Sequence, residues 1–202
     1  MNILKRTITL ISCACVLLVS GCVKLWQDNL DIKTYMVEVD RDTPAIDQSL
    51  GEKLWIDTVS VLPPSNVRNL ILRKSDVEYT TSYYTELLMS PSENFRNAFF
   101  TWFAASGVFE HVSIVERIGM SHRLVVSVIE FHGDTVEQKA VLKIKATLFD
   151  EKEKGMNILF STDYSQEVQL ADTTAEELIR AYNKALYQVL SDCEEDLIKA
   201  FQ

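Results

Sequence analysis

The strongest constraint on the fold is a helical pattern that begins at Ser90. Pro91 follows it directly and Glu93 comes three residues after it, the arrangement of a serine N-cap, a first-turn proline and a glutamate that returns a hydrogen bond to the cap. Gly107 supplies a C-terminal stop. Between these ends, one helix face carries Phe95, Ala98, Phe99, Trp102, Phe103 and Ser106. We predict that this face packs on a sheet; the alternative is that it lines a lipid-binding groove.

Strand patterns precede this helix. Residues 35–39 and 53–62 are rich in β-branched and aromatic side chains, and Pro63-Pro64 stops the second run. Residues 70–73 and 77–81 predict a strand pair around a polar turn at 74–76.

Longer strand patterns follow the helix. Residues 123–131 form an apolar run, His132-Gly133-Asp134 is typical of a turn, and residues 138–149 alternate between apolar and polar side chains. After a charged loop at 150–155, alternation resumes through 158–168. The pattern predicts three antiparallel strands in sequence.

The chain closes with a second helical pattern from about Thr174. Thr173 is the predicted N-cap, with Glu176 three residues later. One apolar face runs from Leu178 to Ala200 and includes Cys193, which we therefore predict to be a core residue. Strands, a helix, strands and a helix without regular alternation predict a single α+β domain, in which two main helices pack on one face of a mostly antiparallel sheet. A doubly wound fold is the weaker alternative.

The N-terminus has the pattern of a processed leader. Lys5 and Arg6 precede an apolar run of about a dozen residues, which is shorter than the about 20 that a membrane-spanning helix needs. The run ends in Leu18-Val19-Ser20-Gly21-Cys22, which resembles a bacterial lipobox. We predict a signal peptide over residues 1–21, lipidation of Cys22 by acyl chains such as palmitate, a tether over 22–33 and a periplasmic domain over 34–202.

The cysteine count fits this division. Cys13 and Cys15 leave with the signal and Cys22 carries lipid, so only Cys193 remains. No intramolecular disulfide is then available, and the fold depends on its core. Val23 follows the lipidated residue. Lipoproteins of enteric-type bacteria with aspartate at that position are retained at the inner membrane, so the sequence favours the outer membrane.

Net charge and the absence of known metal-binding and nucleotide-binding motifs in the sequence argue against several classes of function. The net charge is −9 and becomes more negative when Lys5 and Arg6 are removed, which argues against nucleic-acid binding. His111, His122 and His132 are isolated, and neither metal-ligand spacing nor a nucleotide-binding glycine pattern occurs. Acidic residues such as Asp134 and Glu137 offer acid–base pairs only as any acidic chain does. We predict no enzymatic activity, no cofactor and no metal.

The order of features resembles the ABC-type transport auxiliary lipoproteins, which accompany mammalian-cell-entry-domain lipid transport systems. The resemblance rests on Cys22, the Tyr35 strand, Val59-Ser60-Val61-Leu62-Pro63, Leu70-Ile71-Leu72-Arg73, Tyr79, Tyr83, Tyr84 and Ser106-Gly107-Val108-Phe109. One departure is visible: Leu87-Leu88-Met89 stands where the family often has tryptophan.

The resemblance implies a non-catalytic, lipid-anchored component that docks transport machinery at the bacterial envelope. Its partners would be a mammalian-cell-entry-domain protein and the associated ABC permease and ATPase, and a homo-oligomer is compatible with that role. Tyr79, Tyr83, Tyr84 and Leu88 are the candidate partner-binding residues, because their segment follows no clean burial period; an ordinary strand and turn is the alternative. A lipid-carrying lipoprotein and an assembly factor for an outer-membrane complex remain open as rival functions.

Overall fold

The computed structural model describes residues 31–46, 49–152 and 157–201. The lipobox at Leu18 to Cys22 and the tether up to Leu30 lie outside the described residues, as does part of the charged loop at 150–155. The described residues form nine strands and two helices: β1 (Lys33–Tyr35), β2 (Lys53–Ile56), β3 (Ser60–Val61), β4 (Asn69–Arg73), β5 (Tyr79–Leu87), α1 (Pro91–Ser106), β6 (His111–Ser113), β7 (His122–Asp134), β8 (Lys139–Asp150), β9 (Asn157–Gln169) and α2 (Ala175–Ala200).

The long strand β7 organises the sheet. Along one edge it pairs with β8 over its whole length, and β8 pairs in turn with β9; both ladders are antiparallel, as predicted. Along the other edge, three short strands pair with β7 one after another in parallel: β2 at its start, β3 at its middle and β4 at its end. The sheet continues from β4 through the antiparallel β5 to β1.

Both helices pack on one side of this mostly antiparallel sheet, which confirms the predicted α+β class. The capping box at Ser90 is formed and Gly107 ends α1 in the left-handed conformation. The α1 face buries Phe95, Phe99 and Phe103, and α2 buries the predicted apolar face, with Cys193 fully buried. The rings of Phe95 and Tyr182 both contact Phe131 of β7, so the two helices share one core.

A β-bulge inside β7 decides which side chains reach that core. Leu124, Val126 and Val128 face the helices, and the register with β8 then shifts between Val128 and Glu130. A bulge adds one residue to one strand and changes the alternation. After it, the odd positions face the helices, so Phe131 is buried in the core and His132 lies on the helix-free side, where its ring contacts Tyr79.

The predicted strand at 35–39 is wrong beyond Tyr35. Val37 is buried, but its N–H donates to Asn94 Oδ1 over 3.1 Å and its carbonyl accepts from Asn94 Nδ2 over 2.5 Å. The side-chain amide of α1 thus takes both hydrogen bonds that a neighbouring strand would provide.

The predicted strand at 53–62 is interrupted. Ile56 is paired with Leu124 and Ser60 with Ser127, so four steps along this segment match three along β7. This segment therefore has one residue more than the matching part of β7, and that residue has no pairing partner there. The predicted strand is divided into β2 and β3 at this point.

Two local predictions need correction. His132-Gly133-Asp134 is not a turn: it ends β7, where Gly133 pairs with Leu72 of β4 and Ala140 of β8, and the turn lies at 135–138. The N-cap of α2 is Thr174, not Thr173, and it accepts from the backbone N–H of Glu177. The sequence offers the threonine-and-glutamate spacing in both registers, and the helix uses the second.

We expect Asn94→Ala to destabilise the protein by about 1–3 kcal/mol for each of the two Val37 groups left unpaired and buried. Asn97→Ala is the matched control, since Asn97 is exposed on the same helix, and should change stability by no more than about 0.5 kcal/mol. Urea denaturation of both variants measures the difference. Equal stabilities would contradict the role assigned to Asn94.

Candidate partner-binding surface

The predicted partner-binding residues are exposed along and just beyond β5. The exposed fractions are 46% for Tyr79, 74% for Tyr83, 53% for Tyr84 and 55% for Leu88. The rings of Tyr83 and Tyr84 contact each other with centroids 5.7 Å apart, whereas Tyr79 lies at the other end of the strand against His132. The structure therefore brings Tyr83 and Tyr84 together and spreads the other two along the strand.

The outer edge of β5 is only partly paired. β1 covers it at Thr85–Leu87, and the ladder is extended by the Leu88 N–H, which donates to the Tyr35 carbonyl over 2.7 Å. Within the described chain, no strand pairs with that edge at 79–84. An unpaired edge offers backbone donors and acceptors to a strand of another protein. This edge and the four exposed side chains form what we call the β5 surface.

A groove lies beside the β5 surface on the helix side of the sheet. It has a volume of about 430 Å³ and lies between β4, β5, the end of β7 and the first turn of α2. Leu72 and Leu178 approach each other over Gly133, where a Cβ atom would lie only 2.9–3.1 Å from their methyl groups. Tyr84 also lines the groove, so groove and β5 surface are continuous.

An ionic cluster occupies the opposite, helix-free side. Arg73 Nε donates to Asp134 Oδ2 over 2.9 Å, and Asp134 Oδ1 accepts from the N–H groups of Val136 and Glu137. Burial alone would raise the pKa of Asp134, but the hydrogen bonds from the backbone and from Arg73 lower it on balance. The cluster links the end of β7 to β4.

His122, His132 and Cys193 are buried side chains. His122 is buried with its ring 4.8 Å from that of Phe201, and burial lowers the pKa of both His122 and His132. Burial raises the pKa of the Cys193 thiol to about 12, so the thiol stays protonated at neutral pH. Within residues 31–46, 49–152 and 157–201, no group of three or more His, Cys, Asp or Glu side chains is placed to hold a metal ion.

Neither α1 nor α2, the two helices of the described residues, has the length and apolar character that spanning a bilayer requires.

Sequence reasoning missed the groove. Leu72, Gly133 and Leu178 come from three elements that are distant in the chain. The sequence pattern predicts a strand residue at Leu72, a turn at Gly133 and a buried helix position at Leu178. The one signal was the small residue in His132-Gly133-Asp134, which is typical of a turn but here permits a close approach of side chains.

Comparison with known proteins identifies the family. A family model described as the ABC-type transport auxiliary lipoprotein component matches residues 37–193. The chain belongs to this family. Auxiliary lipoproteins of this kind are associated with ABC transport, and none of the catalytic signatures considered above runs through the matched region.

Solved structures share the fold. A protein from Xanthomonas campestris superposes with a TM-score of 0.68 at 15% identity, covering 80% of this chain and 92% of that one. An uncharacterized protein gives a TM-score of 0.66 at 15% identity, covering 82% of this chain and 99% of that one. At such identities the likeness concerns the fold alone. Among curated protein sequences, no match to this chain was found.

We expect Asp134→Asn to lower the free energy of unfolding by about 1.5–3 kcal/mol at pH 7, because hydrogen bonds to a buried charged group are lost. Since the pKa of Asp134 is lower in the folded state than its ordinary value of 3.8, the stabilisation is present above that value and is lost as the pH falls through the folded-state pKa. The difference from the wild type in urea denaturation should therefore shrink as the pH is lowered below 3.8.

Asp163→Asn is the control for this measurement. Asp163 is exposed on β9, with Lys145 Nζ 3.9 Å away, and an exposed pair of this kind contributes at most about 1 kcal/mol. A loss in Asp134→Asn that does not depend on pH would contradict the assigned role of the carboxylate.

Proposed function

We propose that the protein is a non-catalytic, lipid-anchored auxiliary component of a mammalian-cell-entry-type ABC lipid transport system, and that the β5 surface docks it to that machinery. Family membership supplies the association with ABC transport. The observation that carries the docking role is the partly unpaired edge of β5, which presents exposed tyrosines instead of the charges that usually protect an edge strand.

The position of β1 connects the anchor to this surface. If Cys22 carries the lipid, Lys33 is the eleventh residue after the anchor, and this length of chain spans at most about 40 Å. Lys33 pairs with Thr85 of β5. The chain thus enters the domain at the β5 surface, and a partner that reaches this surface works close to the membrane.

The absence of aspartate after Cys22 supports an outer-membrane location, with the domain facing the periplasm. Val23 occupies the sorting position. Attachment would depend on the acyl chains, because a chain with net charge −9 is repelled by anionic headgroups.

We expect Cys22→Ser to abolish membrane attachment and transport function while the domain keeps its fold, since the first buried core residue among the described residues is Val37. Val23→Asp should retain the lipidated protein at the inner membrane, with Val23→Ala as the matched control. Membrane fractionation and immunoblotting measure both effects. A fully active Cys22→Ser variant would overturn the anchored-component role.

We expect a photoreactive amino acid at Tyr83 or Leu88 to crosslink in cells to a mammalian-cell-entry-domain protein, because both positions lie on the β5 surface. The same amino acid at Ile118, which is 97% exposed but lies before β7, is the control and should give no such product. Mass spectrometry identifies the partner. Crosslinks from Tyr83 to a β-barrel protein alone would instead favour an assembly factor for an outer-membrane complex.

A further inference from the structure

The groove exists because neither helix covers the β4–β5 end of the sheet. α1 packs against β2, β3 and β6, whereas α2 packs against β8 and β9. Only the first turn of α2 reaches towards β4 and β5, and the remaining space has a volume of about 430 Å³. Small-molecule sites in proteins typically have volumes of about 300–1,000 Å³, so this space is large enough for a ligand.

The lining of the groove is divided between an apolar wall and hydroxyl groups. The wall consists of Leu70, Leu72, Leu170, Ala175 and Leu178. The hydroxyl side chains are those of Ser82, Tyr84, Thr85, Thr135, Thr173 and Thr174. An apolar surface with a few polar groups that fix orientation is typical of a site for an amphiphilic ligand.

The charged side chains around the groove differ in whether they have a bonded partner. Asp134, which also lines it, is bonded to Arg73, and Glu176, next to the lining residue Ala175, accepts from the Tyr35 hydroxyl over 2.7 Å. Lys74 is the one cation of the lining, and it forms no ion pair with any described residue. Although the chain as a whole has a net charge of −9, the Lys74 ammonium beside an apolar wall is locally complementary to an anionic headgroup.

We infer that this groove binds one acyl chain of a single-chain anionic lipid, with the anionic headgroup at Lys74. The acyl chain lies against the leucines, and the headgroup is the carboxylate of a fatty acid or the phosphate of a lysophospholipid. The inference rests on the proposed function and deepens it, since it gives the same component a lipid site of its own.

The test uses the lipidated full-length mature protein in phosphatidylcholine nanodiscs. Two photoreactive probes, a diazirine-bearing fatty acid and the corresponding lysophospholipid, are crosslinked to it and the labelled residues are mapped by mass spectrometry. We expect label from at least one probe on β4, on β5 and at the start of α2, and the probe that labels identifies the headgroup. The affinity of unlabelled competitor lipids should increase about fourfold per added methylene until the groove is full.

Two pairs of variants locate the site. Ala175→Phe fills the groove and should reduce labelling at least tenfold, whereas Ala104→Phe adds the same side chain to an exposed position of α1 and should leave labelling unchanged. Lys74→Gln should weaken binding of the anionic probes by about threefold to fivefold. It should leave binding of an uncharged long-chain alcohol unchanged. Lys184→Gln, which removes an exposed charge of α2 away from the groove, should have no effect.

Label spread evenly over the surface would overturn the inference, and so would label that is insensitive to both Ala175→Phe and Lys74→Gln. If Ala175→Phe does not fold, the map of labelled residues and the Lys74→Gln variant decide. If the groove is not labelled but Tyr83 still crosslinks to the mammalian-cell-entry-domain protein, the lipid site is refuted and the docking role stands. If the groove is labelled but Tyr83 gives no such crosslink, the docking role is refuted and the lipid site stands.

Discussion

The structure depends on the double pairing of β7. One edge of this strand carries the long antiparallel ladder to β8, and the other holds β2, β3 and β4 end to end. Since three separate segments share that edge, each must leave the ladder before the next can join it. The bulge after Val128 adjusts the alternation within β7, so that the core continues through Phe131 while His132 points to the helix-free side. Core, groove and ionic cluster all follow from this strand.

The uncovered end of the sheet is a consequence of the same arrangement. The helices cover the strands around the middle of β7 and the β8–β9 hairpin, and β4 and β5 extend the sheet beyond them. This end carries the groove, the free edge at 79–84 and the entry of the chain through β1. Exposed tyrosines of β5 lie at this end as well. Binding surfaces typically enrich such aromatic side chains.

The described chain has the physical character of a binding component. Burial lowers the pKa of His122 and raises that of the Cys193 thiol, and the buried carboxylate of Asp134 accepts a hydrogen bond from Arg73. The described part of the molecule is distinguished by its surface, where an edge strand with aromatic side chains lies beside an apolar groove. The lining of that groove includes Lys74, which forms no ion pair with a described residue. Unpaired strand edges and apolar grooves of this kind are typical of sites that bind other molecules.

The sequence by itself determined the elements whose signals are local. The cap at Ser90, the stop at Gly107 and the period of the α2 face each depend on residues within a few turns, and so do the alternating strands β8 and β9. Only the tertiary structure decided features that need distant partners. The Asn94 side chain makes the hydrogen bonds that a neighbouring strand would make with Val37. Gly133, predicted to lie in a turn, pairs with β4 and β8 as part of β7. Leu72 and Leu178 approach each other over Gly133 in the groove. Local propensity cannot encode these contacts, because their free energy comes from pairing and burial between segments that lie far apart in the chain.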